Sequence, residues 1–176
     1  MQAIETVTVG SGGAASIEFM AIGDIPATFT DLKIVVSLRS DYSGGDEGAL
    51  IGFNGSTSNL SYRRLYAVPS VGSSSGSTGL FGLTPANSVT ANTFSSAEIY
   101  IPNYRSSANK SYSATNVTEN NGSTAFIDLV AGLWSQTAAI TSIKLSLDRG
   151  GNNFVEHSTA TLYGILAGSD GTTTVT

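Results

Sequence analysis

Apolar residues that return at every second position constrain this chain more than any other feature. Residues 31–39 read DLKIVVSLR, with Leu32, Ile34, Val36 and Leu38 on one side. Successive side chains of an extended strand point to opposite faces, so this spacing buries one face of a strand and does not line one face of a helix. Residues 140–148 repeat it, with Ile143, Leu145 and Leu147 inward and Ser142, Lys144, Ser146 and Asp148 outward. Further segments read as strands on the same grounds: 5–9, 16–22, 49–54, 61–68, 97–101, 111–118, 125–129 and 160–165. Clusters of Gly, Asn, Ser and Asp separate them, as turns require.

One window competes for a helix, residues 126–134 (FIDLVAGLW). It is short, carries Gly132 near its end and has no N-cap, so it reads as strand followed by turn. About ten short strands in one chain of this length predict a single all-β domain, an antiparallel β-sandwich. So many strands favour a jelly-roll-like arrangement over an immunoglobulin-like one, whose Cys…Trp…Cys pattern is absent from a chain with no cysteine. The expected organisation is an N-terminal arm (1–15), the sandwich (16–165) and a polar C-terminal tail (166–176). Two stretches read as long loops, 39–48 (RSDYSGGDEG) and 69–92, the second enclosing an apolar island at Leu80-Phe81-Gly82-Leu83. Such an island in a loop needs cover, which a neighbouring copy could provide.

Composition narrows the function by exclusion. Charged residues make up 12% of the chain, about half the usual share. The net charge is −5 and the eight basic residues are scattered, the densest pair being Arg63-Arg64, so no nucleic-acid partner is expected. The lack of cysteine excludes disulfides, thiolate metal sites and a cysteine nucleophile. No apolar run approaches the roughly 18 residues of a membrane helix, and no basic segment followed by an apolar one opens the sequence. The expectation is a protein made in the cytoplasm with no membrane partner.

Candidate chemistry is sparse. Residues 72–76 read GSSSG, which fits the hydrolase elbow with Ser74 as nucleophile, and Asp128 or Asp148 and then His157 follow in the order such a triad uses. The elbow needs a strand–turn–helix, and nothing helical follows Gly76. Glu156 adjoins His157, the only histidine, and on a strand would point to the opposite face, leaving no orienting partner. Asp41, Asp46 and Glu47 could gather round a hard cation, although their spacing is not that of an EF-hand and a solvated acidic loop accounts for them. The glycines at 10–13 lack the spacing and the lysine of a phosphate loop. Neither catalytic residues, cofactor nor metal are expected. Tyr62, Tyr66, Tyr100, Tyr104 and Tyr112 cluster among Asn and Ser, where they line strand edges or stack on a sugar or partner.

Four blocks carry a resemblance: FTDLKIVVSLRS (29–40), IYIPNYRSSANKSYS (99–113), LWSQTAAITSIKLSL (133–147) and NNFVEHSTATLYGI (152–165). In order and spread over about a third of the chain, they resemble blocks of tailed-bacteriophage virion structural proteins. That resemblance implies a non-enzymatic virion component: a capsid decoration (cement) protein bound to the major capsid protein, or alternatively a tail-fibre or spike module that binds a host receptor or glycan. It also implies a homotrimer, location in the virion, core roles for Leu32, Ile34, Val36, Ile143, Leu145 and Leu162, and turn roles for Asn103 and Asn109. The short chain, with no heptad or collagen-like shaft segment, favours decoration.

Overall fold

The computed structural model describes residues 1–20, 23–68, 70–121 and 125–166. Among them are twelve strands and no helix. The first four are β1 (Gln2–Thr8), β2 (Ser16–Phe19), β3 (Asp31–Ser37) and β4 (Asp46–Phe53). A hairpin follows, β5 (Leu60–Val68) and β6 (Ser70–Gly76), then β7 (Leu80–Pro85) and β8 (Ser96–Ile101). A second hairpin, β9 (Lys110–Thr118) and β10 (Phe126–Trp134), precedes β11 (Ile143–Leu147) and β12 (Thr159–Ile165).

These strands form two antiparallel sheets, one of eight strands in the order β1-β12-β3-β8-β9-β10-β5-β6 and one of four in the order β2-β11-β4-β7. The chain is therefore an all-β sandwich. Leu32, Ile34 and Val36 of β3 and Ile99 and Ile101 of β8 share one buried cluster with Ile17, Phe19, Ile51, Phe53 and Leu145 of the smaller sheet. Each such side chain contributes about 1.5–3 kcal/mol when fully buried. The alternation in the sequence is thus the wall of the core.

Two expectations are corrected in the middle of the chain. Most of the stretch read as a loop over 69–92 is β6 and β7; Pro69 itself lies outside the described residues. The island Leu80–Leu83 belongs to β7, where Leu80 and Phe81 are buried within the chain's own core, so it needs no second copy to cover it. β10 runs as one strand through all nine residues of the helix-like window, paired with β9 on one side and β5 on the other. At the N-terminus the expected arm supplies β1, hydrogen-bonded along β12. Of the tail only Leu166 is described; residues 167–176 lie outside.

Aromatic rings lying over glycines lock the hairpins. Tyr112 pairs with Gly132, Tyr62 with Gly76 and Tyr66 with Gly72. A Cβ built on Gly132 would stand 1.9 Å from the Tyr112 ring, whereas one on Gly10 meets nothing within 4 Å. Gly132→Ala is accordingly expected to cost about 2–3 kcal/mol through overpacking, and Gly10→Ala to change little. Urea denaturation of the two variants beside the wild type checks this.

Candidate functional site

The structure separates the residues of the supposed triad. Ser74 sits mid-strand in β6, opposite Arg64, with no helix after it. His157 is exposed in the turn before β12, its φ of 72° marking a tight reversal. Six strand spacings separate β12 from β6, roughly 30 Å measured along the sheet. Asp128 is engaged elsewhere, and Asp148 lies at the far side of β11 beside Gly48. The three acidic residues of the 39–48 stretch do not converge on a cation site. Among the described residues no group of three potential metal ligands comes together.

Nor is the stretch a solvated loop throughout: Asp46 and Glu47 open β4, and Asp41 and Glu47 organise loops at one end of the sandwich. The Glu47 carboxylate, fully buried, accepts hydrogen bonds from the Ser40 hydroxyl, the Arg149 N–H and Asn152 Nδ2. Asp41 accepts from the Asn153 N–H at 2.7 Å and from its Nδ2. Arg39 reaches from the end of β3 into the 86–93 segment, donating to the carbonyls of Ala86, Val89, Thr90 and Thr93. At the opposite end the Lys110 ammonium is held by the carbonyls of Ala108, Gln136 and Ala138. Burial lowers the pKa of both Arg39 and Lys110. Backbone dipoles stand in for counter-ions, and two loop systems are fixed in shape.

The tyrosines are structural. Tyr62, Tyr66 and Tyr112 cover glycines, and the Tyr112 hydroxyl donates to the Leu80 carbonyl at 3.1 Å. Tyr104 is fully buried and donates to the Pro26 carbonyl; burial raises its pKa. Tyr100 donates to Asp31 at 2.8 Å. Asn103 adopts φ 47° in the turn ahead of Tyr104, as its assigned turn role requires.

What the sequence did not announce is a surface. Beyond β8 the large sheet continues as β9, β10, β5 and β6, and its outward face there is nearly uncharged. Val117, Ile127, Ala67 and Val71 form one row across the four strands, and Thr115, Leu129, Leu65 and Ser73 the next. Arg63 is the one charge pointing outward from these strands, and an apolar trough of about 140 Å³ lies between Leu65, Val71, Ile127 and Leu129. The adjacent Arg64 points inward, so the densest basic pair of the sequence serves opposite faces. Arg64 Nε donates to Asp128 at 2.7 Å, and its guanidinium stacks 4.5 Å from the Tyr66 ring centre. The signal for the surface was present in FIDLVAGLW: a strand apolar on both sides has a second face to bury. Compared with known proteins, the chain matches no family model, no curated protein and no solved structure.

Two measurements probe the buried charges. Asp128→Ala strands the Arg64 guanidinium and is expected to cost about 3–5 kcal/mol, while Arg64→Met with Asp128→Leu, which removes both charges, costs less; denaturation midpoints of the two variants decide. Asp46 is held above the ordinary carboxylate value of 3.8, chiefly by burial and against the pull of Arg149 and Arg64. The folded chain therefore keeps this proton when the unfolded chain has lost it, and Asp46 subtracts stability as pH rises through that interval. Asp46→Asn removes the loss. Its midpoint relative to wild type should rise between acid and neutral pH, and a constant difference would refute the assignment.

Proposed function

We propose that this chain is a non-enzymatic phage virion protein, most specifically a capsid decoration (cement) protein that stiffens the shell by binding the major capsid protein. One observation supports the reading beyond the sequence resemblance. With the hairpins β5–β6 and β9–β10 set aside, the remaining eight strands, counted in chain order, lie as 1-8-3-6 in one sheet and 2-7-4-5 in the other. That order supports a jelly-roll reading, an architecture used by viral capsid domains, lectins and cupins. The cupin reading lacks its metal ligands, since the single histidine is exposed in a turn. The lectin reading, which corresponds to a tail-fibre or spike module on a host glycan, is weakened because Tyr62, Tyr66, Tyr104 and Tyr112 are committed to glycines and to the core.

On this reading the capsid contact runs through backbone, hydroxyl and amide groups, because the surface is poor in charge. The tail 166–176 is on this reading an arm laid against the capsid, pairing by main-chain hydrogen bonds. Self-association also belongs to the reading. Its expected support, the island now seen as β7, is gone, so the contact must come from another face.

Purified protein is expected to co-sediment with capsids stripped of accessory proteins and to raise their disruption temperature. Binding should change little as salt rises, because contacts without ion pairs are little screened. Deletion of 167–176 should reduce recovery. Binding to host cells and not to capsids would overturn the reading in favour of a receptor-binding module.

A further inference from the structure

We propose that the outward face of β9, β10, β5 and β6 packs against the same face of a second copy of this chain, across a twofold axis. The inference rests on the geometry of the sheet and not on the capsid reading. Leu65, Val71, Val117, Ile127, Leu129 and Leu133 are between 36% and 76% exposed on this one face. They open on the order of 500 Å² of apolar surface, near the upper end of what a monomer leaves to solvent. With the serines and threonines that border them, the area approaches the roughly 800 Å² per partner of a stable interface.

Three observations select a second copy as the occupant. First, the face is almost neutral. A charged partner would find only Arg63 to pair with, whereas a copy brings an equally neutral surface and no repulsion across most of the contact. Second, small residues lie within the rows (Ala67, Ser73) and beside them (Ser113, Ala131), so two such faces can interdigitate at the ordinary spacing of packed sheets, about 10 Å. Third, a head-to-tail contact needs a different apolar patch on the neighbour. The remaining large exposed hydrophobic residues described are Met1, Tyr100 and Leu166, which lie outside these four strands. The face is complementary to itself and to nothing else of comparable size on the described chain. Residues 167–176 bring only Ala167 and Val175 as apolar side chains, too little to cover it. A twofold pair is thus a different arrangement from the homotrimer that the resemblance implied.

Sedimentation velocity and light scattering on the full chain, without capsids, test this. Wild type at micromolar concentration is expected to show the mass of two 18.0 kDa chains. Leu129→Glu and Leu65→Glu should each give a single chain with an unchanged far-UV circular dichroism spectrum, since both side chains already face solvent in the protomer. Thr6→Glu, on the same sheet but far from the patch, should remain paired. A monomeric wild type, a trimer, or a pair that survives both glutamates would overturn the proposal. Because no capsid is present, each of these outcomes leaves the decoration reading to its own test.

Discussion

The Asp128 carboxylate has no part of its surface open to solvent, and the added half of the large sheet is arranged around keeping it satisfied. Arg64 approaches it from β5 with an Nη2 to Oδ1 distance of 2.5 Å. Asn116, from β9, donates to its other oxygen at 2.9 Å and also to the Leu83 carbonyl of β7 at 3.0 Å. One group thus joins both inserted hairpins to the smaller sheet. A lone two-stranded hairpin is marginal in water. Here β5–β6 and β9–β10 stabilise one another along the β10–β5 ladder, and the ion pair fixes their register against β7. A buried pair of this kind adds less stability than it adds discrimination, because a slipped register would strand a charge.

The same arrangement explains the contrast between the two halves of the large sheet. On β1, β12, β3 and β8 the outward face is polar, and includes the Lys33–Glu98 ion pair at 2.7 Å. Past β8 that face keeps only Arg63 while the inward face gains charges. Arg64, Asp128 and Lys110 all lie inward there, each matched to a partner. Charge has been moved from where solvent would welcome it to where it costs desolvation. Such an inversion is expected of a sheet whose outer surface meets protein.

How much was legible in the sequence follows from which strands carry their own pattern. β3, β9, β11 and β12 alternate between a buried and an open side, so period two was visible in their residues. β6 was hidden because its inward positions are Gly72, Ser74 and Gly76, over which Tyr66 and Tyr62 of β5 lie; its conformation is dictated by a neighbour. β7 was hidden for the opposite reason, since five of its six residues are buried and no alternation survives. The loop-fixing roles of Arg39 and Lys110 could not be read, because carbonyl partners leave no mark in a sequence. Asp41 and Glu47 read as a solvated acidic loop because their partners, Asn153 and Asn152, arrive from more than a hundred residues away.

The position of β12 has a consequence for how the molecule comes into being. It lies between β1 and β3, pairing with both, while β11 likewise separates β2 from β4. During synthesis the first three strands therefore leave the ribosome with no sheet partner among themselves. The earliest strand pairs available are β5 with β6 and β4 with β7, followed by β3 with β8, β8 with β9 and then β10 with β9 and β5. Pairs from the middle of the chain can thus assemble first and serve as the template, and the sandwich closes only when the last strand slides between two strands made long before it. Folding governed by such distant contacts is slow. The nascent chain meanwhile exposes unpaired strands, so a chaperone has a window in which to act.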